Sequence, residues 1–166
     1  MAGGSTVTAT ADAWTDQASP SQNMGGDSAL YVQSRSGSQN RRALVRFAPP
    51  TVPAGCSLTA ATLRIYNDVP RSDRTIDAYR AAATWAENTV AWNNQPATTG
   101  TAVGSTTVSV VGWQEWTVTA HVQAQYTTND GFVLRDRTEN QAGGREPKYL
   151  SRESGVNAPQ LVISWG

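Results

Sequence analysis

Residues 58–66 read Leu58-Thr59-Ala60-Ala61-Thr62-Leu63-Arg64-Ile65-Tyr66, and from Ala61 onward apolar side chains alternate with larger polar or aromatic ones. The segment 42–47 alternates in the same way, with Ala43, Val45 and Phe47 on one side of the chain. Successive side chains of a β-strand point to opposite faces, so a period of two predicts strands that bury one face.

The same alternation recurs along the whole chain. It is found at residues 30–33, 76–78, 108–110, 116–118 and 132–134, around Tyr149, and at 161–165. Short strands that each have one apolar face must bury it against a second sheet. The sequence therefore predicts an all-β fold, a jelly-roll β-sandwich of about 8–10 strands.

One short helix is expected at residues 119–126, where Thr119 can cap a run of good helix formers. Two long loops are expected, at 12–28 and 81–104. Residues 1–5 are expected to form a flexible start, and 6–166 a single domain, because 166 residues suit one domain better than two.

Composition excludes several classes of function. Thirteen basic and thirteen acidic side chains give a formal net charge of zero, which argues against a nucleic-acid partner. No apolar stretch approaches the ~20 residues that span a bilayer, so we expect no membrane partner. Cys56 is the only cysteine, which leaves no intramolecular disulfide. We expect the isolated domain to be a monomer that requires no cofactor.

Several segments together point to a known family. The most specific is Trp85-Ala86-Glu87-Asn88-Thr89-Val90-Ala91-Trp92-Asn93-Asn94-Gln95-Pro96, and others lie at 11–14, 40–47, 58–66, 131–136, 151–153 and 159–162. Nearly the whole chain resembles the bacterial DNRLRE domain family, whose relatives include carbohydrate-binding modules proposed to bind alginate-type polymers. The resemblance implies a jelly-roll module of large extracellular bacterial proteins, and hence a secreted or cell-surface location.

The arginines are the candidate ligand-binding residues, since twelve of the thirteen basic side chains are Arg. By strand alternation Arg42, Arg46, Arg64 and Arg135 point away from the core. If their three strands are neighbours, one face presents several guanidiniums among tyrosines, which suits the carboxylates of a uronate polymer. Alternatively, each arginine pairs with an acid of the chain or covers apolar neighbours. The candidate set is Tyr31, Arg35, Arg41, Arg42, Arg46, Arg64, Tyr66 and Arg135.

Two functions from different classes are consistent with these features. The favoured one is a non-catalytic carbohydrate-binding module for an anionic, uronate-type polysaccharide within a larger secreted bacterial protein. The alternative is a structural or adhesive spacer domain whose partners are neighbouring domains of the same protein. Free, clustered arginines favour the first function, and arginines fully paired with acids favour the second.

An enzyme is not expected. His121 is the only histidine and has no Ser or Cys partner in a recognisable motif. Carboxylate pairs such as Glu87 with Glu115 or Glu153 could flank a glycosidic bond, but any chain with thirteen acids offers such pairs.

The tryptophan-rich segment has two interpretations. Trp85, Trp92 and Pro96 could form a platform on which a sugar ring stacks. They could instead attach a long irregular loop to the sandwich, with short polar side chains bonding its backbone. We favour the structural interpretation.

A structural Ca²⁺ is one further hypothesis. Asp12, Asp16, Asn23 and Asp27 offer hard oxygen ligands within one segment, although their spacing matches no fixed calcium-loop pattern. Asx residues near glycines are also simple turn formers, which is the alternative.

Lys148, the sole lysine, raises the hypothesis of an isopeptide bond to an Asn or Asp, promoted by a buried carboxylate. The alternative is a lysine that protects a sheet edge against strand addition.

Overall fold

The computed structural model describes residues 1–48, 50–125 and 130–166, with only the backbone described at Thr99 and Gln125. In this part of the chain eleven strands form two antiparallel sheets, accompanied by one short α-helix. The prediction of an all-β sandwich with a single short helix is therefore confirmed.

The first sheet is built around one long central strand. Its members are β1 (Gly3–Thr8), β3 (Ala29–Tyr31), β5 (Leu58–Val69), β8 (Gly112–Thr117), β10 (Lys148–Leu150) and β11 (Gln160–Trp165). Their order is β1-β11-β5-β10-β3, and β8 also pairs with β5.

The second sheet has five strands in the order β2-β4-β9-β6-β7. These are β2 (Ala11–Asp16), β4 (Arg41–Arg46), β6 (Ile76–Ala81), β7 (Thr98–Thr106) and β9 (Phe132–Asp136). A 3₁₀ turn at Arg152–Ser154 precedes β11.

The main core lies between the two sheets and is formed by the faces that alternation predicted. Leu63, Ile65 and Ile163 of the first sheet are at most 1% exposed, as are Val45 and Leu134 of the second. The indole Nε1 of Trp116 donates to the Ile76 carbonyl at 2.9 Å and so ties the sheets together through a buried hydrogen bond. Burial of each large aliphatic side chain contributes about 1.5–3 kcal/mol.

Two strand predictions are corrected. Gly3–Ser5, expected in a flexible start, form half of β1, because their backbone pairs with Ile163–Trp165 of β11. Residues 108–110, expected to form a strand, lie between β7 and β8, where Val110 is 71% exposed. The strand of this region is β7, which begins inside the expected loop 81–104 and extends two residues beyond it. Its Gly104 packs closely on β8, since an added Cβ would lie 2.8 Å from the Thr117 carbonyl oxygen.

The helix α1 spans Thr119–Gln125, close to the expected range, and Tyr126 lies outside the described residues. None of the helices in the described chain has the length and apolar character needed to span a membrane. His121 is buried, with its ring edge-on to Phe132 at 4.8 Å. Its Nε2 has no hydrogen-bond partner among the described residues.

Stability should depend on the protonation of His121. Burial, with a smaller contribution from the charge of Arg80, lowers the pKa of His121 from 6.5 to about 4. As the pH falls from about 6.5 to about 4, the unfolded chain therefore binds a proton before the folded chain does. The free energy of unfolding should decrease by up to about 3 kcal/mol across this window. Below about pH 4 the protonation of His121 should lower it no further.

Urea unfolding of the wild type and of His121→Phe, measured between pH 4 and 7, tests this prediction. The substitution retains an aromatic contact with Phe132 but does not titrate, so the variant should lack this part of the pH dependence. Identical pH profiles for the two proteins would contradict it.

Candidate functional site

The long loop 82–97 folds onto the outer face of the second sheet. Trp85 and Val90 of the loop form a second core with small or aliphatic residues of four strands, namely Ala11, Ala13, Leu44, Ala81 and Val133. The Trp85 indole Nε1 donates to the Asp130 carbonyl at 2.8 Å. Arg46 donates to the Trp85 carbonyl, with its guanidinium 4.7 Å from the centre of the indole ring. The structural interpretation of Trp85 is confirmed.

Beside this loop, two arginines on adjacent strands share one carboxylate. Arg42 on β4 and Arg135 on β9 approach Oε1 of Glu139 at 2.9 and 2.7 Å, respectively. The Glu139 side chain is only 8% exposed, whereas those of Arg42 and Arg135 are 20% and 28% exposed. The guanidiniums therefore retain access to solvent while the carboxylate between them is covered.

An aromatic ring lies at each end of this pair. The Arg42 guanidinium lies 4.7 Å from the centre of the Trp92 ring, and that of Arg135 lies 5.5 Å from the Tyr79 ring. Both rings are half-buried. We call the row Trp92, Arg42, Glu139, Arg135 and Tyr79 the Arg42–Arg135 band. It crosses β4, β9 and β6, which are consecutive in the second sheet.

The band retains positive charge. Next to it, Nη2 of Arg137 lies 3.1 Å from Oδ1 of Asp77 and 2.8 Å from Oγ of Ser105. Three guanidiniums, of Arg42, Arg135 and Arg137, are thus matched by two carboxylates, of Asp77 and Glu139. One positive charge is left over here, in a chain whose formal net charge is zero.

A profile of carbohydrate-binding module family 96 matches residues 4–165, nearly the entire chain. The chain belongs to this family. The match confirms the class of module that the sequence resemblance implied, and a module of this class binds carbohydrate. The DNRLRE assignment and the relation to alginate-binding relatives stay predictions. A search of curated proteins found no match.

This family 96 module brings only part of the predicted set together. Arg42, Arg46 and Arg135 share the outer face of the second sheet. Arg64 and Tyr66 do not, because β5 belongs to the other sheet. The supposition that all three arginine-bearing strands are neighbours is therefore wrong for β5: alternation fixes which face a side chain occupies but not which strands pair.

Arg64 and Tyr66 instead form a separate group with Trp113 of β8, which we call the Trp113 patch. The Arg64 guanidinium lies 4.5 Å from the Trp113 ring centre, and the Tyr66 ring is edge-on to Trp113 at 5.5 Å. Arg64 also pairs with Glu115 at 3.1 Å and donates to Gln160 at 2.8 Å.

The remaining candidates lie at another edge of the sandwich. The Arg41 guanidinium lies over the rings of Trp14 and Tyr31, at 5.1 and 5.8 Å. It pairs with Asp16 at 3.2 Å and with Glu146 at 2.6 Å. Two carboxylates therefore already compensate its charge. Arg35 is exposed in the turn before β4.

The sequence prediction missed Tyr79 and Glu139. Tyr79 could have been found, because it alternates with the buried residues Ile76 and Ala78 and so occupies the outer face. Glu139 follows β9 in an irregular segment that carries no periodic signal. Its relation to Arg42 depends on strand pairing between residues 97 positions apart.

The four residues of the calcium hypothesis do not form one cluster. Asp16 accepts from the Ala18 backbone, and Asp27 accepts from the Trp14 indole and the Ala29 backbone, at 3.0–3.1 Å. The Asn23 amide donates to loop carbonyls at 2.8 Å. These three act as turn and loop anchors. The carboxylate of Asp12 lies elsewhere, with those of Glu87 and Glu153.

Lys148 forms an ion pair with Asp68 at 3.0 Å, and the two side chains are 34% and 38% exposed. This pair lacks the burial that would promote an isopeptide bond. The edge-strand explanation is wrong as well, because β10 lies between β3 and β5.

Glu139→Gln should destabilise the domain, because the neutral amide leaves two neighbouring guanidiniums without their shared counter-charge. We expect the free energy of unfolding to fall by about 1–3 kcal/mol, less than for a fully buried pair because both arginines reach solvent. The matched control is Glu115→Gln, which removes the 55% exposed partner of Arg64 and should cost under about 1 kcal/mol. Urea denaturation measures both, and equal losses would contradict the special role of Glu139.

Proposed function

We propose that this family 96 module is a non-catalytic domain that binds an anionic, uronate-type polysaccharide through the Arg42–Arg135 band. We further propose that it does so as part of a larger secreted bacterial protein. The observation that carries the proposal is a pair of partly exposed guanidiniums, on adjacent strands, that share a single covered carboxylate between two aromatic rings.

The chemistry of arginine supports an acidic ligand. A guanidinium is planar and forms two parallel hydrogen bonds to a carboxylate, and such charge-assisted bonds are about twice as strong as neutral ones. Arg42 and Arg135 retain unused N–H donors, because the single carboxylate of Glu139 cannot accept hydrogen bonds from all the N–H groups of two guanidiniums. A uronate carboxylate would supply the missing acceptors and the missing negative charge.

The aromatic ends of the band support a sugar ligand. The apolar C–H faces of pyranose rings pack on aromatic side chains as other apolar groups do. Trp92 and Tyr79 lie on either side of the arginine pair, so a chain crossing β4, β9 and β6 would meet a ring, two guanidiniums and a second ring in turn.

A structural or adhesive role is the second candidate, and one observation favours it. Arg41, Arg42, Arg64 and Arg135 all have acidic partners within the domain. Arginines engaged in this way stabilise a domain without requiring any ligand. The two candidates differ in whether an acidic polymer binds the band.

Isothermal titration calorimetry against polymannuronate, polygalacturonate and a neutral glucan separates the two candidates. We expect binding to the two polyuronates but not to the glucan, with affinity that falls as salt is added. Arg135→Gln should weaken polyuronate binding about tenfold or more, since a hydrogen bond to a charged group contributes about 1.5–3 kcal/mol. The Arg42–Glu139 ion pair remains in this variant.

Arg64→Gln is the matched control, because Arg64 also lies over an indole ring and pairs with an acid, but on the other sheet. It should leave the affinity unchanged. Failure of the folded wild type to bind either polyuronate would favour the structural role. Loss of binding in Arg64→Gln alone would move the site to the Trp113 patch.

A further inference from the structure

Three carboxylates from distant parts of the chain meet beside the second sheet. Asp12 belongs to β2, Glu87 to the loop 82–97, and Glu153 to the 3₁₀ turn. One oxygen of each lies within 4.8 Å of the others. The group is separate from the Arg42–Arg135 band and from the contacts proposed for the polysaccharide.

The carboxylate of Asp12 is incompletely satisfied. Asp12 is 0% exposed, and its Oδ2 accepts from the Arg152 backbone N–H at 2.8 Å. Its Oδ1 is buried and has no hydrogen-bond partner among the described residues. A buried carboxylate oxygen without a partner costs free energy, and a ligand bound to this oxygen would remove that cost.

The local charge is also unbalanced. The Arg152 guanidinium bonds Glu87 at 3.0–3.1 Å and approaches Glu153 at 3.4 Å. The single positive charge of Arg152 therefore lies beside a group of three acidic side chains. Three ionised carboxylates so close together repel one another, and a bound cation would compensate their charge.

We propose that Asp12, Glu87 and Glu153 bind a divalent cation, with Ca²⁺ preferred over Mg²⁺. Ca²⁺ binds oxygen ligands at 2.3–2.6 Å, so oxygens on opposite sides of the ion lie up to about 5 Å apart. For Mg²⁺ the corresponding separation is only about 4 Å. The three oxygens lie within 4.8 Å of one another, so one Ca²⁺ can contact all of them, whereas Mg²⁺ demands a stricter octahedral geometry and gives up its waters reluctantly.

The backbone around the site is held in place. The Asn23 amide donates to the Glu87 carbonyl at 2.8 Å, and a Cβ added to Gly25 would lie 1.8 Å from that same oxygen. On the other side, Ser151 caps the turn by accepting from the Glu153 N–H at 3.2 Å. Arg152 is 39% exposed, so its guanidinium can turn to solvent when the ion takes its place.

Binding would connect three segments that are far apart in sequence. Asp12 and Glu87 are 75 residues apart, and the ion would link the loop 82–97 to both β2 and the 3₁₀ turn. Because the unfolded chain does not bring these carboxylates together, Ca²⁺ should stabilise the folded state.

Thermal unfolding of protein freed of metal with EDTA and then dialysed tests this proposal. With Ca²⁺ at about 100 times its Kd, we expect the Tm to rise by about 5–10 °C. Calorimetric titration should show one Ca²⁺ per chain, and Mg²⁺ should bind at least tenfold more weakly. A folded protein that shows neither a Tm shift nor binding heat with Ca²⁺ would overturn the proposal.

Asp12→Asn should abolish the Ca²⁺ effect. If this variant does not fold, Glu153→Gln provides the same test at a partly exposed position. The matched control is Asp73→Asn, which removes an exposed carboxylate paired with Arg145 and should retain the full Ca²⁺ effect. An effect that survives Asp12→Asn or Glu153→Gln would place the ion elsewhere and overturn the assignment.

Discussion

The outer face of the second sheet carries apolar residues, chiefly Leu44 and Val133, that water would otherwise contact. The loop 82–97 buries them under Trp85 and Val90, and both proposed sites depend on this packing. At its margin the loop holds Trp92 against Arg42, which begins the Arg42–Arg135 band. The same loop carries Glu87 to the N–H of Asp12 at 3.0 Å, where the proposed cation site lies. Loss of the packing of Trp85 and Val90 on the sheet would therefore disturb both proposed sites, although each site is proposed for a different ligand.

Arginine has two roles on this sandwich. Most of the candidate arginines pair with acids or lie over aromatic rings, and these contacts join strands to one another or attach loops to the sheets. The Arg42–Arg135 band differs, because two guanidiniums share one carboxylate and both remain open to solvent. In the proposed function, an acidic sugar would complete an arrangement that already exists, so little reorganisation would accompany binding. A neutral sugar would cover the guanidiniums without supplying charge, which would provide selectivity.

Alternation in segments such as 61–66 was sufficient to predict a sandwich and the core face of each strand, because burial of one face imposes a period of two. It does not predict which strands are neighbours, so it cannot separate Arg64 from Arg42. Leu44 shares the alternation of Arg42, and an apolar side chain at that position indicates a partly covered face, but only the fold shows that a loop covers it. The carboxylates of Asp12, Glu87 and Glu153 meet through tertiary packing alone, so no local spacing could have predicted their cluster.

The central claim is that an acidic sugar binds the second sheet beside Trp92. The six tryptophans offer a direct measurement, since each indole N–H gives one signal in a ¹H–¹⁵N spectrum and Trp→Phe variants assign them. Titration with a short oligouronate should shift the Trp92 signal and leave those of Trp113 and Trp165, on the other sheet, in place. Shifts confined to Trp113, or no shift at saturating oligouronate, would contradict the account.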